Sequence, residues 1–179
     1  MKKTSESVAI KAINSSKYDK LKQKNGISES QALKVCHGHK NVLGIIEKFL
    51  ERDHIFIVTK FIKGGDLSNI FQKLQIRQFK EKQAQYVIRQ VASALQHIHR
   101  QGIVHRDVKL MNIFISNNTR MPSVKLGDFG LATMIDDRCE PLRKAGTIYF
   151  MAPEVILGQP SDYKQDVWSL GILLYGLLT

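Results

Sequence analysis

The stretch Ile103-Val-His-Arg-Asp-Val-Lys-Leu-Met-Asn-Ile-Phe-Ile115 sets a histidine, an arginine, a carboxylate, a lysine and an amide in one short segment flanked by apolar residues. A carboxylate such as Asp107 can accept a proton, Lys109 two residues on can neutralise charge, and the Asn112 amide is a hard oxygen donor. A second carboxylate, Asp128, stands in the tripeptide Asp128-Phe-Gly130. These residue types suit a reaction that needs positioning and charge neutralisation more than covalent chemistry.

The chain of 179 residues is long enough for one domain with a core, or for two small lobes sharing a cleft. A hydrophobic fraction of 43% with 24% charged residues is that of a globular protein and argues against disorder. Two cysteines, Cys36 and Cys139, are too few for a disulfide framework, which points to a reducing, intracellular compartment, the cytoplasm by default with the nucleus left open. The start, Met1-Lys2-Lys3, is followed by polar Thr4 to Ser7, so no apolar signal core is expected. The longest apolar run, Val167 to Leu178, is too short to span a membrane and reads as a buried helix. A net charge of +11 raises the question of nucleic acid, but the basic residues are scattered without an aromatic platform, so neither nucleic acid nor membrane is expected as a partner.

The elements that must position these residues follow from periodicity. Val8-Ala-Ile-Lys11 alternates with period two, and a polar stretch from Asn14 to Asn25 follows. A helical segment is expected around Ser28 to Val35, then strands over Val42 to Leu50 and Ile55 to Ile62 across the charged turn Glu51 to His54. Gly64-Gly65 breaks the pattern and Asp66 can cap a helix beginning at Leu67. From Lys80 to Arg100 apolar residues recur at helical spacing, with Gly102 as the cap. Ile113 to Ile115 and Val124 to Leu126 read as a small hairpin, and a long loop runs from Asp128 to about Pro153. Strands dominate the first part and helices the second, an α+β class.

The segment around His105-Arg-Asp107 resembles the catalytic loop of protein kinases, H-R-D-x-x-x-x-N. Four more segments follow the order of that family. Val8-Ala-Ile-Lys11 looks like its V-A-I-K strand, Asp128-Phe-Gly130 like its D-F-G element and Ala152-Pro-Glu154 like its A-P-E element. Asp166-Val-Trp-Ser-Leu-Gly171 is similar to the start of its central helix, whose aspartate ties down the catalytic loop. The resemblance runs from Val8 to Thr179 and implies a partial bilobal kinase fold. Residues 1–62 would be a small-lobe remainder with the hinge, and residues 63–179 a portion of the large lobe.

What the resemblance implies for single residues is specific. Asp107 would take the proton of a substrate hydroxyl, and Lys109 would stabilise the transferred phosphoryl group. Asn112 and Asp128 would hold Mg2+ against ATP, with Lys11 on the phosphates and Glu29 as its partner. Thr59 would be the gatekeeper and Lys60 to Ile62 the hinge that meets the adenine, with Ala9 and Phe114 on either side of the base and Asp66 near the ribose. Lys60 departs from the glutamate common there, which backbone contacts would survive. Lys109 and Gly146-Thr147 resemble the serine/threonine group, so the expected partner is a protein carrying a serine or threonine acceptor. The segments 146–155 and 166–175 look most like calcium- and calmodulin-dependent kinases. His105 would pack beneath Phe129 and Leu33, while Cys36-His-Gly-His39 has no second ligand pair at zinc-site spacing.

The sequence also departs from the family. No glycine-rich hairpin precedes Lys11, and the chain reaches Thr179 within the central helix. The Val8-Ile10 strand would then be an unpaired edge, and Trp168, Leu170, Ile172, Leu173, Tyr175 and Leu177 would be uncovered. The expectation is a fragment of a serine/threonine kinase whose isolated chain is poorly soluble and weakly active. The alternative is a kinase-like binding module without catalysis. Between Asp136 and Ala145 no hydroxyl acceptor is present, so Glu140, or Asp136 with Asp137, would give Arg106 a fixed negative charge.

Overall fold

A computed structural model describes residues 6–25, 27–75, 77–116, 122–135 and 145–179, with the side chains of 21–25 set aside. The first part is a three-stranded antiparallel sheet in the order β1-β3-β2, formed by β1 (Val8–Asn14), β2 (Ile45–Glu51) and β3 (His54–Lys60). The pairing places Ala9 opposite Thr59 and Lys11 opposite Ile57. Among the described residues β1 is an edge open on one side, as expected, and it pairs along its full length with β3 on the other. Its exposed apolar residues are Val8 and Ile10, so the alternation turns Ala9 and Lys11 to the other side.

Two helices link β1 to β2. The polar stretch, to which the sequence assigned no element, forms α1 (Ser15–Asn25), and α2 (Glu29–Val35) follows. The polarity of its sequence hid α1, although Tyr18 within it is buried. Ser28 caps α2 by accepting from the Gln31 amide, while the Gln31 side chain accepts from the Ser28 amide. The second strand starts at Ile45 rather than Val42, because Val42 and Leu43 are drawn away: Leu43 N–H donates to Leu126 O at 2.8 Å.

The helical part comprises α3 (Leu67–Leu74), α4 (Glu81–Arg100), α5 (Pro153–Ile156) and α6 (Lys164–Leu178), with the short strands β4 (Ile103–Val104), β5 (Ile113–Ile115), β6 (Val124–Leu126) and β7 (Thr133–Met134). In α4 the residues Ala84, Val87, Val91, Ala94, Leu95 and Ile98 fall at helical spacing and are all buried. Leu173 and Leu177 of α6 are fully buried against this core, which corrects the expectation that they lie uncovered; Trp168 and Tyr175 are exposed. Truncating either leucine to alanine would cost about 2–5 kcal/mol. The expected loop after Asp128 contains β7, which pairs with β4, and a 3-10 turn over Ile148–Phe150.

One short loop joins the sheet to the helices. Asn41 O accepts from Leu126 N–H, and the Asn41 amide donates to Val124 O at 2.8 Å and to Gln90 Oε1 at 2.9 Å. Beside it His39 stacks on His97 of α4, ring centroids 4.7 Å apart. His39 Nδ1 accepts from Asn41 N–H at 3.2 Å, which requires the ring to be unprotonated there. Burial, and then the cations His97, Lys40 and Lys125, hold its pKa below the ordinary 6.5. A histidine kept neutral in this way contributes stability that is complete above pH 6.5 and declines as pH falls below it. The urea midpoint is therefore expected to drop on acidification through that range, and less steeply in H39Q. The residual slope reports buried His105, whose pKa is also depressed by burial. Equal slopes in the two proteins would contradict this.

Candidate active site

The loop after β4 is held from beneath by Asp166, which sits in the first turn of α6 with no exposed surface. Its Oδ2 accepts from His105 N–H at 2.9 Å and its Oδ1 from Arg106 N–H at 2.8 Å. His99, in the last turn of α4, places Nε2 2.8 Å from the same carboxylate. Arg106 has φ +70°, a left-handed conformation that residues other than glycine adopt rarely and at a cost their surroundings must offset. The two bonds to Asp166 supply that offset.

His105 then passes the constraint on. Burial pushes its pKa down, so the ring is neutral: Nδ1 accepts from Asp107 N–H at 3.3 Å and Nε2 donates to Gly127 O at 3.0 Å. Its edge meets the Phe129 ring, with centroids 4.8 Å apart. Gly127 N–H donates to Asn112 O at 3.0 Å, so the Asp128 segment is bonded to the loop at two points. Asp128, like Arg106, is left-handed, with φ +56°.

Two clusters result. In the first, Asp107 Oδ2 lies 2.7 Å from Lys109 Nζ and accepts from Asn112 Nδ2 at 3.0 Å. Oδ1 accepts from Thr147 N–H at 3.1 Å and from its hydroxyl at 2.8 Å. Lys109 Nζ also donates to the Thr147 hydroxyl, at 2.8 Å. In the second, Lys11 Nζ lies 2.9 Å from Glu29 and 2.7 Å from Asp128 Oδ1. Burial opposes the Lys11 charge, but the two carboxylates outweigh it and hold the ammonium above its ordinary pKa. For Glu29 the balance falls the other way, with burial raising its pKa more than Lys11 lowers it. Asp128 is raised by burial, but Lys11 and Gly130 N–H together bring it below the usual carboxylate range.

Ala9 faces Thr59 across β1 and β3, and Thr59 is buried while Lys60 is exposed. Phe114 is bridged to Asp66, whose carboxylate accepts from Asn69 N–H at 2.9 Å and so caps α3. Asp136, Asp137 and Glu140 lie outside the described residues. The donor set suits a small divalent cation. The Asn112 amide nitrogen donates to the Asp107 carbonyl at 2.8 Å and to its carboxylate at 3.0 Å, so the atom Asn112 could offer a cation is its amide oxygen. The Asp128 carboxylate, 44% exposed, is accessible from solvent.

Sequence reasoning placed Thr147 only in a pattern, not in contact with Asp107, and it missed His99 as a partner of Asp166. The signal for the first was Gly146. Its φ is +114°, and a Cβ there would stand 2.4 Å from Arg106 O. Only glycine lets the chain pass so close and deliver Thr147 to Asp107. In G146A the turn must shift, and loss of the Thr147 contacts to Asp107 is expected to cost about 1–3 kcal/mol in urea unfolding. D166A orphans two buried backbone N–H groups, for a loss of roughly 3 kcal/mol in urea unfolding.

Comparison with known proteins matches this arrangement to one family. The protein kinase domain pattern matches residues 1–179. The chain is 35% identical to serine/threonine-protein kinase ULK3 of Xenopus laevis over 97% of its length, covering 36% of that protein. It is 36% identical to serine/threonine-protein kinase unc-51 of Caenorhabditis elegans over 99% of its length, covering 21% of that protein. It is likewise 35% identical to human Nek5 over 99% of its length, covering 25% of that protein. The chain thus spans between about a fifth and a little over a third of these relatives. Among the described residues no helix is long and apolar enough to cross a membrane. With matches of this extent, the chain belongs to the protein kinase family, with relatives of the serine/threonine type.

Proposed function

We propose that the protein transfers the terminal phosphoryl group of ATP to serine or threonine hydroxyls of protein substrates. One observation carries this reading: a β-hydroxyl, that of Thr147, already lies 2.8 Å from Asp107 Oδ1 with Lys109 Nζ 2.8 Å away on the same oxygen. A carboxylate and an ammonium that converge on a hydroxyl can orient a substrate hydroxyl in the same way. Asp107 accepts its proton, and Lys109 offsets the charge that develops on the transferred group. Bound Mg2+ would neutralise phosphate charge, held by the Asn112 amide oxygen and Asp128. Lys11, kept charged by Glu29 and Asp128, binds the phosphates. Ala9 and Phe114 enclose the adenine beside Thr59, with Lys60 to Ile62 as hinge backbone and Asp66 toward the ribose. Residues 1–62 act as the small-lobe part and 63–179 as the large-lobe part.

The test is phosphate transfer from labelled ATP to a mixed protein substrate, followed by identification of the phosphorylated amino acid. D107N is expected to lower the rate by about 10²–10⁴-fold while MgATP still binds. D128N is expected to lose the magnesium dependence of nucleotide binding, followed by calorimetry. Phosphotyrosine as the product, or wild-type transfer by D107N, would overturn the reading.

A further inference from the structure

Glu29 reaches Lys11 from α2, a helix of seven residues. A helix that short does not hold its own position, and tertiary contacts must set its rotation and depth. One such contact is polar and is made by Tyr18. This residue of α1 is 4% exposed on a helix rich in lysine and other polar residues. Its hydroxyl lies 2.6 Å from Ser30 Oγ, and Lys48 of β2 stands over its ring, 4.5 Å from the centroid. Ser28 and Ser30, the two neighbours of Glu29 in sequence, are 4% and 2% exposed. Burial would raise the Tyr18 pKa, but its polar neighbours Ser28, Ser30 and Lys48 together lower it. An apolar ring would fill the same space without engaging these groups.

We infer that Tyr18 is a positioning residue: through its hydroxyl on Ser30 it clamps the first turn of α2, and so fixes Glu29 against Lys11. The inference rests on the reading of Lys11 and Glu29 as a nucleotide site. A sheet residue, Lys48, and a helix residue, Ser30, meet at this phenol, so the clamp couples the depth of α2 to β2. Loss of the hydroxyl leaves the ring packed and the Ser30 hydroxyl buried without this partner.

The test uses the full chain as wild type, Y18F, E29Q and the double variant. MgATP affinity is measured by calorimetry, and backbone amide exchange in α2 and α4 by mass spectrometry. Y18F is expected to weaken MgATP by about tenfold, the worth of one buried hydrogen bond. In the E29Q background the same change is expected to add less than about twofold, since both variants act through one contact. Exchange in α2 is expected to rise about tenfold in Y18F with α4 unchanged, a pattern that general loosening does not give. Full additivity of Y18F with E29Q, or unchanged exchange in α2, would overturn the clamp. Failure of the wild-type chain to bind MgATP would count against the proposed function, and the α2 exchange then decides the clamp alone.

Discussion

The conformation of the whole site depends on one buried carboxylate. Asp166 accepts the His105 and Arg106 amides at 2.9 and 2.8 Å, and so holds Arg106 in a backbone region it would otherwise leave. The order of dependence is clear from the bonds. With Arg106 turned, the Asp107 amide meets His105 Nδ1, His105 Nε2 meets Gly127 O, and Asp128 follows directly. A buried carboxylate is costly unless its lone pairs are filled, and here two backbone donors and one imidazole fill them.

The two charged clusters achieve different things with similar groups. Around Asp107, cation and hydroxyl converge on one carboxylate and leave it fully engaged. Around Lys11, two carboxylates share one cation, and burial divides them. Glu29, 7% exposed, is raised in pKa, while Asp128, 44% exposed, is lowered. The carboxylate that stays ionised most easily is therefore the more exposed one, while Glu29 meets Lys11 from the buried side.

Much of this was legible in the sequence, and the parts that were not share a cause. The 103–115 segment, the V-A-I-K strand and the D-F-G tripeptide each carry their identity in neighbouring residues, so a local reading finds them. The regular spacing of α4 and the Asp66 cap are likewise local. What escaped is set by contacts between distant segments. Helix α1 has no apolar stripe to announce it, and Val42 leaves the strand only because β6 captures it. Thr147 reaches Asp107 over 40 positions, and no spacing rule foretells which side chain a glycine turn will deliver. Leu173 and Leu177 looked uncovered because the helices of this chain itself, rather than any outside element, receive them.

The distance along the chain between Asp166 and the loop it holds has a consequence for how the protein is made. His105 and Asp166 are 61 positions apart, and Lys11 and Asp128 are 117 apart. At the pace of synthesis, about 5–20 residues per second, the loop emerges roughly 3–12 s before the residue that shapes it. Throughout that interval the Arg106 turn has nothing to enforce it, and the acids and bases of the site are unassembled. The chemistry thus comes into being only after α6 has been translated and docked. A nascent chain carries all the residues of the loop without the means to use them.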